Sequence, residues 1–218
     1  TAAILDAQYN LAICLMNLQA YAQALVVVEH ANTELAQAGL GHSADFLFLE
    51  ATLLHSSGDS DEAWKMTEQI LSAPIQASSV IKSKTHFLRG LIASKQGDLD
   101  QLRAAIAALG QPQQIQLRAD RQELVGHLAM TEKNWDAAVE ALDAATKLRR
   151  EALDYRGMVK VLALAGNAGE KAKEDFKVNG EYVNTPEKGV VGIPFVDEYV
   201  EKDAIEFLED AAKTPDTP

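Results

Sequence analysis

The sequence predicts an all-α fold built from repeated helical hairpins, and three observations carry that expectation. Four segments align without internal gaps, apolar residues recur at helical spacing, and glycine with acidic residues falls where one helix should stop and the next start. The aligned segments begin at Tyr9, Phe48, Phe87 and Glu123, so successive starts lie 39, 39 and 36 residues apart. A period of that length suits two helices and their connections.

In each segment the fourth residue is small: Ala12, Ala51, Gly90 and Gly126. Seven residues further on comes a turn position, held by Gln19, Gly58, Gly97 and Lys133. Tyr21, Ser60, Leu99 and Trp135 follow two residues later, and Ala24, Ala63, Leu102 and Ala138 three beyond those. Alanine or glycine at a helix contact lets two axes approach to about 8 Å. That accounts for EKNWDAAVEALDAA, residues 132–145, where Ala138 and Ala145 stand at positions a core usually fills with bulk. Leu11, Leu15, Leu18, Leu25 and Val28 mark the apolar side of the first hairpin, and SSGDSDE and KQGDLD supply turn glycines and acids for the next helix start. Pro74 and Pro112 mark connections, since a proline inside a helix costs about 3 kcal/mol.

The pattern resembles the tetratricopeptide repeat over roughly residues 5–165. The resemblance implies a right-handed α-α superhelix, a solenoid of about four to five hairpins, whose concave side is lined by the first helix of each hairpin. It places Tyr9, Ile13 and Met16, then Phe48, Thr52 and His55, then Phe87, Leu91 and Ser94, then Glu123, His127 and Met130 on that concave side. Aromatics and methionines there suit an apolar-anchored peptide or helix. A competing reading has Tyr9, Phe48 and Phe87 simply packing between hairpins. The chain also departs from the family. Gln8, Leu47, His86 and Gln122 replace an early aromatic, and the spacing exceeds the usual ~34 residues. The family's clamp for C-terminal carboxylates uses lysine, arginine and asparagine, whereas those positions here hold Tyr9, Ile13, Thr52, Phe87 and Leu91, which disfavours acidic chaperone tails.

Residues 148–172 predict one more helix, from about Tyr155 to Leu164, closing at the glycine-bearing AGNAGE. Composition then changes. All 13 glutamines lie at or before Gln122, and residues 170–218 carry thirteen acids against six lysines. The expected division is a repeat domain, 1–169, and a C-terminal extension, 170–218. The extension reads as turns and extended pieces around Gly180, Pro186, Gly189 and Gly192, then an acidic amphipathic helix from about Val196 to Lys213. Such a segment suits an end cap over the last repeat, a tail that fills a groove, or a joined segment of different origin.

A net charge of −12 argues against binding nucleic acid or an anionic membrane surface, and no apolar run reaches the ~20 residues needed to span a bilayer. The single cysteine, Cys14, is expected to be a buried thiol on an apolar helix face. Five histidines include no His-Glu-x-x-His arrangement, and one cysteine cannot build a thiolate zinc site. In GNAGEKA only two residues separate Gly166 from Gly169, where a phosphate loop needs four, so a helix end is expected instead. GDSDE, 58–62, lacks the glycine and final glutamate of a calcium loop.

No catalytic residue, cofactor site or metal site is therefore expected. The expected function is a non-catalytic protein–protein interaction scaffold or adaptor that binds a peptide or helix of a partner. The alternative is a regulatory or enzyme-associated subunit, or a fragment of a larger enzyme whose catalytic part lies elsewhere. Self-association through the repeat ends or the C-terminal segment is a further expectation. Because the chain opens on Thr1, a processed or excised form is expected, soluble in the cytoplasm or, with a leader removed, in the periplasm.

Overall fold

Local chemistry cuts the chain into helices at regular intervals, and it does so with one recurring turn. The computed structural model describes residues 2–72 and 75–179, with helix placement but not side-chain surroundings for residue 2 and residues 172–179. Among the described residues there are nine α-helices and no strand: α1 (Ala2–Asn17), α2 (Tyr21–Gln37), α3 (Ala44–Ser57), α4 (Ser60–Leu71), α5 (Ser79–Gln96), α6 (Leu99–Leu109), α7 (Ile115–Thr131), α8 (Trp135–Glu151) and α9 (Tyr155–Asn179). The expected turns and acidic helix within 180–218, and Pro74, lie outside the described residues.

All four turn positions read from the sequence have left-handed backbone: Gln19 (φ 60°), Gly58 (φ 103°), Gly97 (φ 74°) and Lys133 (φ 58°). The hydrogen bonding is the same at each. The Gly58 N–H donates to the His55 carbonyl and the Asp59 N–H to the Leu54 carbonyl, and Gly97 and Asp98 repeat this with Ser94 and Ala93. Gln19 with Ala20, and Lys133 with Asn134, make the corresponding pairs to Met16 and Leu15, and to Met130 and Ala129. These are paired closures of a helix C-terminus, which satisfy carbonyls that would otherwise lack partners. The residue after each turn starts the next helix. Asp59, Asp98 and Asn134 accept the N–H of Glu62, Gln101 and Ala137, whereas Ala20 has no such side chain.

Only two of the four turn positions are glycine. A left-handed conformation costs a residue with a Cβ about 1–2 kcal/mol. Lys133→Gly should accordingly stabilise the protein by about 1 kcal/mol in urea unfolding, since the residue is exposed outside helix α8. An unchanged or lowered midpoint would show that the lysine carries no such strain.

The helices fall into two compact units divided at Gly110, one holding α1–α6 and the other α7–α9. In the first, each helix packs on the next in sequence, and α3 also packs on α5. Its core includes Ala12, Val28, Ala31, Leu35, Phe46 and Leu53, continued by Ala51, Ala63, Leu88 and Ile92. In the second, α8 packs against both α7 and α9. Ala138 meets Ala129 and Ala168, while Ala145 joins Leu142, Val161 and Ala165. The small residues of EKNWDAAVEALDAA are thus buried between two neighbouring helices.

Three expectations are corrected. Helix α9 does not stop at AGNAGE but continues to Asn179, with Gly166 and Gly169 inside it. Interior glycine costs a helix about 1 kcal/mol, yet the helix runs through both glycines, and Ala168 between them is buried against Ala129 and Ala138. Cys14 is exposed, not buried. Leu11 and Leu18, expected on the core side, are exposed as well, because the core of the first unit lies on the opposite side of α1, at Tyr9, Ala12, Ile13 and Met16.

Candidate partner-binding surface

Of the twelve residues placed on the concave side, the ten aromatic, aliphatic, methionine, threonine and histidine ones, Tyr9, Ile13, Met16, Phe48, Thr52, His55, Phe87, Leu91, His127 and Met130, are all half-buried. Eight belong to the first compact unit, and His127 and Met130 to the second. Tyr9, Ile13 and Met16 pack together against the core that α1 shares with α2 and α3. Phe48 touches two core clusters, one around Leu47, Ile70 and Ile81 and one around Ala51, Leu88 and Ile92. The Thr52 hydroxyl donates back to the Phe48 carbonyl at 2.8 Å. Met130 lies against Leu142 and Val161 and against Ala138 and Ala168.

Tyr9 has the most open chemistry. Its ring meets Phe46 edge-on, with centroids 5.7 Å apart and planes at 84°. Beside it a shallow cavity of about 400 Å³ is lined by Leu5, Asp6, Tyr9, Leu35, Ser43, Asp45 and Phe46. The floor is apolar and aromatic, and the two charged side chains at the rim are exposed carboxylates. Burial pushes the Tyr9 hydroxyl above its ordinary pKa of 10.0, and the Asp45 charge adds to this. The hydroxyl therefore stays protonated and can donate. A second shallow cavity, about 390 Å³, is bounded by Asp61, Trp64, Lys65, Gln96, Asp98 and Gln101. Trp64 is covered there by the Arg89 guanidinium, 4.0 Å from the ring centroid, which leaves less aromatic face for a ligand.

Sequence reasoning missed a buried ion cluster in the second unit. Arg149, in the last turn of α8, donates through Nη2 to Asp120 (3.0 Å) and Glu123 of α7, and through Nη1 to Asp154 (2.7 Å). Asp154 in turn accepts the Gly157 N–H and caps α9. Lys160 of α9 stands 3.4 Å from the other Glu123 oxygen. The repeat pattern puts Glu123 on the concave surface, but its side chain is 1% exposed and belongs to this cluster. Burial works to lower the Arg149 pKa, and the Glu123 and Asp120 carboxylates outweigh it, so the group is held above its ordinary value. Acids three apart on α7 were legible, but their partner 26 and 29 residues away was not.

His127, also on α7, is held below its ordinary pKa of 6.5 by burial, which outweighs the opposing effect of Glu123, while Lys160 adds to the lowering. The unfolded chain then binds the proton more readily than the folded one. The stabilisation this gives is complete above about pH 6.5 and is lost as pH falls from there through the lower folded value. Urea midpoints measured at about pH 7.5 and pH 5.5 should separate less for His127→Gln than for the parent chain. Equal separation would mean His127 has no such role.

Among the described residues no group of histidine, cysteine and carboxylate side chains is arranged to hold a metal, and no helix is long and apolar enough to cross a membrane. No protein-family model and no curated protein sequence matches the chain.

Proposed function

We propose that the chain is a non-catalytic interaction scaffold, stacking tetratricopeptide-like hairpins in a right-handed superhelix and holding a peptide or helix segment of a partner protein. The observation that carries this reading is the cavity beside Tyr9. It offers an apolar floor from Leu5, Leu35 and Phe46, a half-buried phenol that donates, and carboxylates from Asp6 and Asp45 at the rim. Those features complement an apolar side chain next to a lysine or arginine. The recurring turn supports the repeat reading, since one backbone conformation falls at all four positions the alignment identifies.

Selection from a displayed peptide library tests the proposal. Enriched peptides should pair a bulky apolar residue with a neighbouring Lys or Arg, and Asp6→Asn with Asp45→Asn should weaken them about tenfold. Both carboxylates are exposed, so the helical circular dichroism should be unchanged. Failure to enrich any peptide, or peptides indifferent to the double substitution, would contradict it.

A further inference from the structure

Helix α9 packs on α8 through one side, where Met158, Val161, Ala165 and Ala168 are buried. Its opposite side is apolar too. Tyr155 and Val159 are 42% and 52% exposed, and Ala163 and Gly166 continue the line at helical spacing. Leu153, just before the helix, is 70% exposed. It closes α8 as the four hairpin turns close their helices: its N–H and that of Asp154 donate to the Arg150 and Arg149 carbonyls, and its φ is 57°. Those turns hold Gln19, Gly58, Gly97 and Lys133 at this position, whereas here the left-handed residue is an exposed leucine. Left-handed backbone and exposed apolar surface are each unfavourable for it. Apolar side chains gathered at one exposed place mark a surface that takes a partner.

One edge of this stripe is basic. Arg156, Lys160 and Lys171 are exposed along it, and Glu170 is the one acid between Tyr155 and Lys171. Lys160 reaches Glu123 at 3.4 Å, yet its side chain is 58% exposed.

The sequence supplies a segment of matching character. Residues 196–213 place Val196, Val200, Ala204, Phe207 and Ala211 three and four apart, and hold seven carboxylates against two lysines. Charge favours a seat for it in the second unit. Residues 111–179 balance eleven cations with eleven carboxylates, whereas residues 1–110 set six cations against eleven carboxylates. Reach permits the same seat. The 25 residues of α9 extend about 37 Å at the usual helical rise. The sixteen residues 180–195 span up to about 50 Å when extended, enough to return along the helix to its first turns. Pro186 and Pro194 among them oppose a simple continuation of α9.

We infer that residues 196–213 of the same chain form a helix whose apolar stripe seats antiparallel on the Leu153–Gly166 side of α9, with its carboxylates toward Arg156, Lys160 and Lys171. This seat belongs to the second unit and does not depend on the reading given to the Tyr9 cavity.

Carbodiimide cross-linking of the full chain, with heavy-isotope-labelled and unlabelled material mixed equally and read by mass spectrometry, tests the inference. Lys160 or Lys171 should be joined to carboxylates within 197–210, in products of a single isotopic kind. Val159→Asp sets a like charge in the seat, and should lower that cross-link about tenfold and speed tryptic cleavage after Lys202 about tenfold. Trp135, which packs with Ala168 on the other side of α9, should keep its fluorescence. Phe207→Asp, which touches no described helix residue by substitution, should act in the same way. Absence of the cross-link, cross-links from 197–210 to Lys65, Lys82 or Lys84 instead, or cleavage after Lys202 that neither substitution speeds would overturn the inference. Products of mixed isotopic kind would overturn it in favour of a second copy.

Discussion

Arg149→Met is expected to destabilise the protein by about 3–5 kcal/mol. The guanidinium is 9% exposed and answers three carboxylates at once, from two residues of α7 and from the cap of α9. Without it Glu123 keeps the Lys160 contact at 3.4 Å, while Asp120 and Asp154 lose their guanidinium bonds. Desolvated charges without partners are costly, whereas removing both sides of such a pair often is not. Adding Glu123→Leu to Arg149→Met should therefore recover part of the loss, in a double-mutant cycle read by urea unfolding. An Arg149→Met midpoint equal to that of the parent chain would mean the cluster is solvated and contributes nothing net.

Gly126→Val is expected to cost about 3 kcal/mol, despite replacing a residue of poor helix propensity. A Cβ at Gly126 would lie 2.6 Å from both Cγ and Cδ2 of Leu142, a contact that cannot be relieved by moving only the tip of a flexible side chain. Leu142 is itself fully buried among Ala145, Val161 and Ala165, so it has no room to retreat. Introducing Leu142→Ala alongside Gly126→Val should offset part of the cost, which identifies the collision as the cause. Stabilisation by Gly126→Ala or Gly126→Val alone would show instead that α7 and α8 are loosely apposed.

Arg149 and Gly126 fall on opposite sides of what a sequence makes visible. Gly126 was legible because a small residue recurs at the same place in four aligned segments, and the requirement for small size is local to each hairpin. The turns were legible for the same reason, including Gln19 and Lys133, whose identity alone gives no hint of left-handed backbone but whose register does. Arg149 was not legible. Its partners are distant in the chain, and nothing about an arginine in the last turn of a helix distinguishes a solvated one from one enclosed by three acids. Glu123 was misplaced by the same ignorance of packing.

Cys14, Leu11 and Leu18 failed differently. Apolar periodicity identifies a face that prefers cover, and the same periodicity on α3 and α5 does find it. On α1 it marks a face exposed among the described residues, so an apolar stripe is evidence of burial only when a neighbour is known to stand there. The end assigned at AGNAGE failed because glycine was weighed as a helix terminator, whereas α9 carries Gly166 and Gly169 in its interior next to buried Ala168. The aromatic candidates divide as well. Phe48 is shared between two core clusters, whereas Tyr9 borders a cavity with charged rims.

One left-handed backbone conformation falls at all four turn positions read from the sequence, and the helix pairs on either side of those turns follow from it. Backbone dihedral angles from the chemical shifts of the isotope-labelled chain test this directly. Positive φ at Gln19, Gly58, Gly97 and Lys133, each flanked by helix on both sides, is the predicted result. Helical or extended φ at Gln19 or Lys133, the two positions where no glycine permits the turn by default, would contradict it.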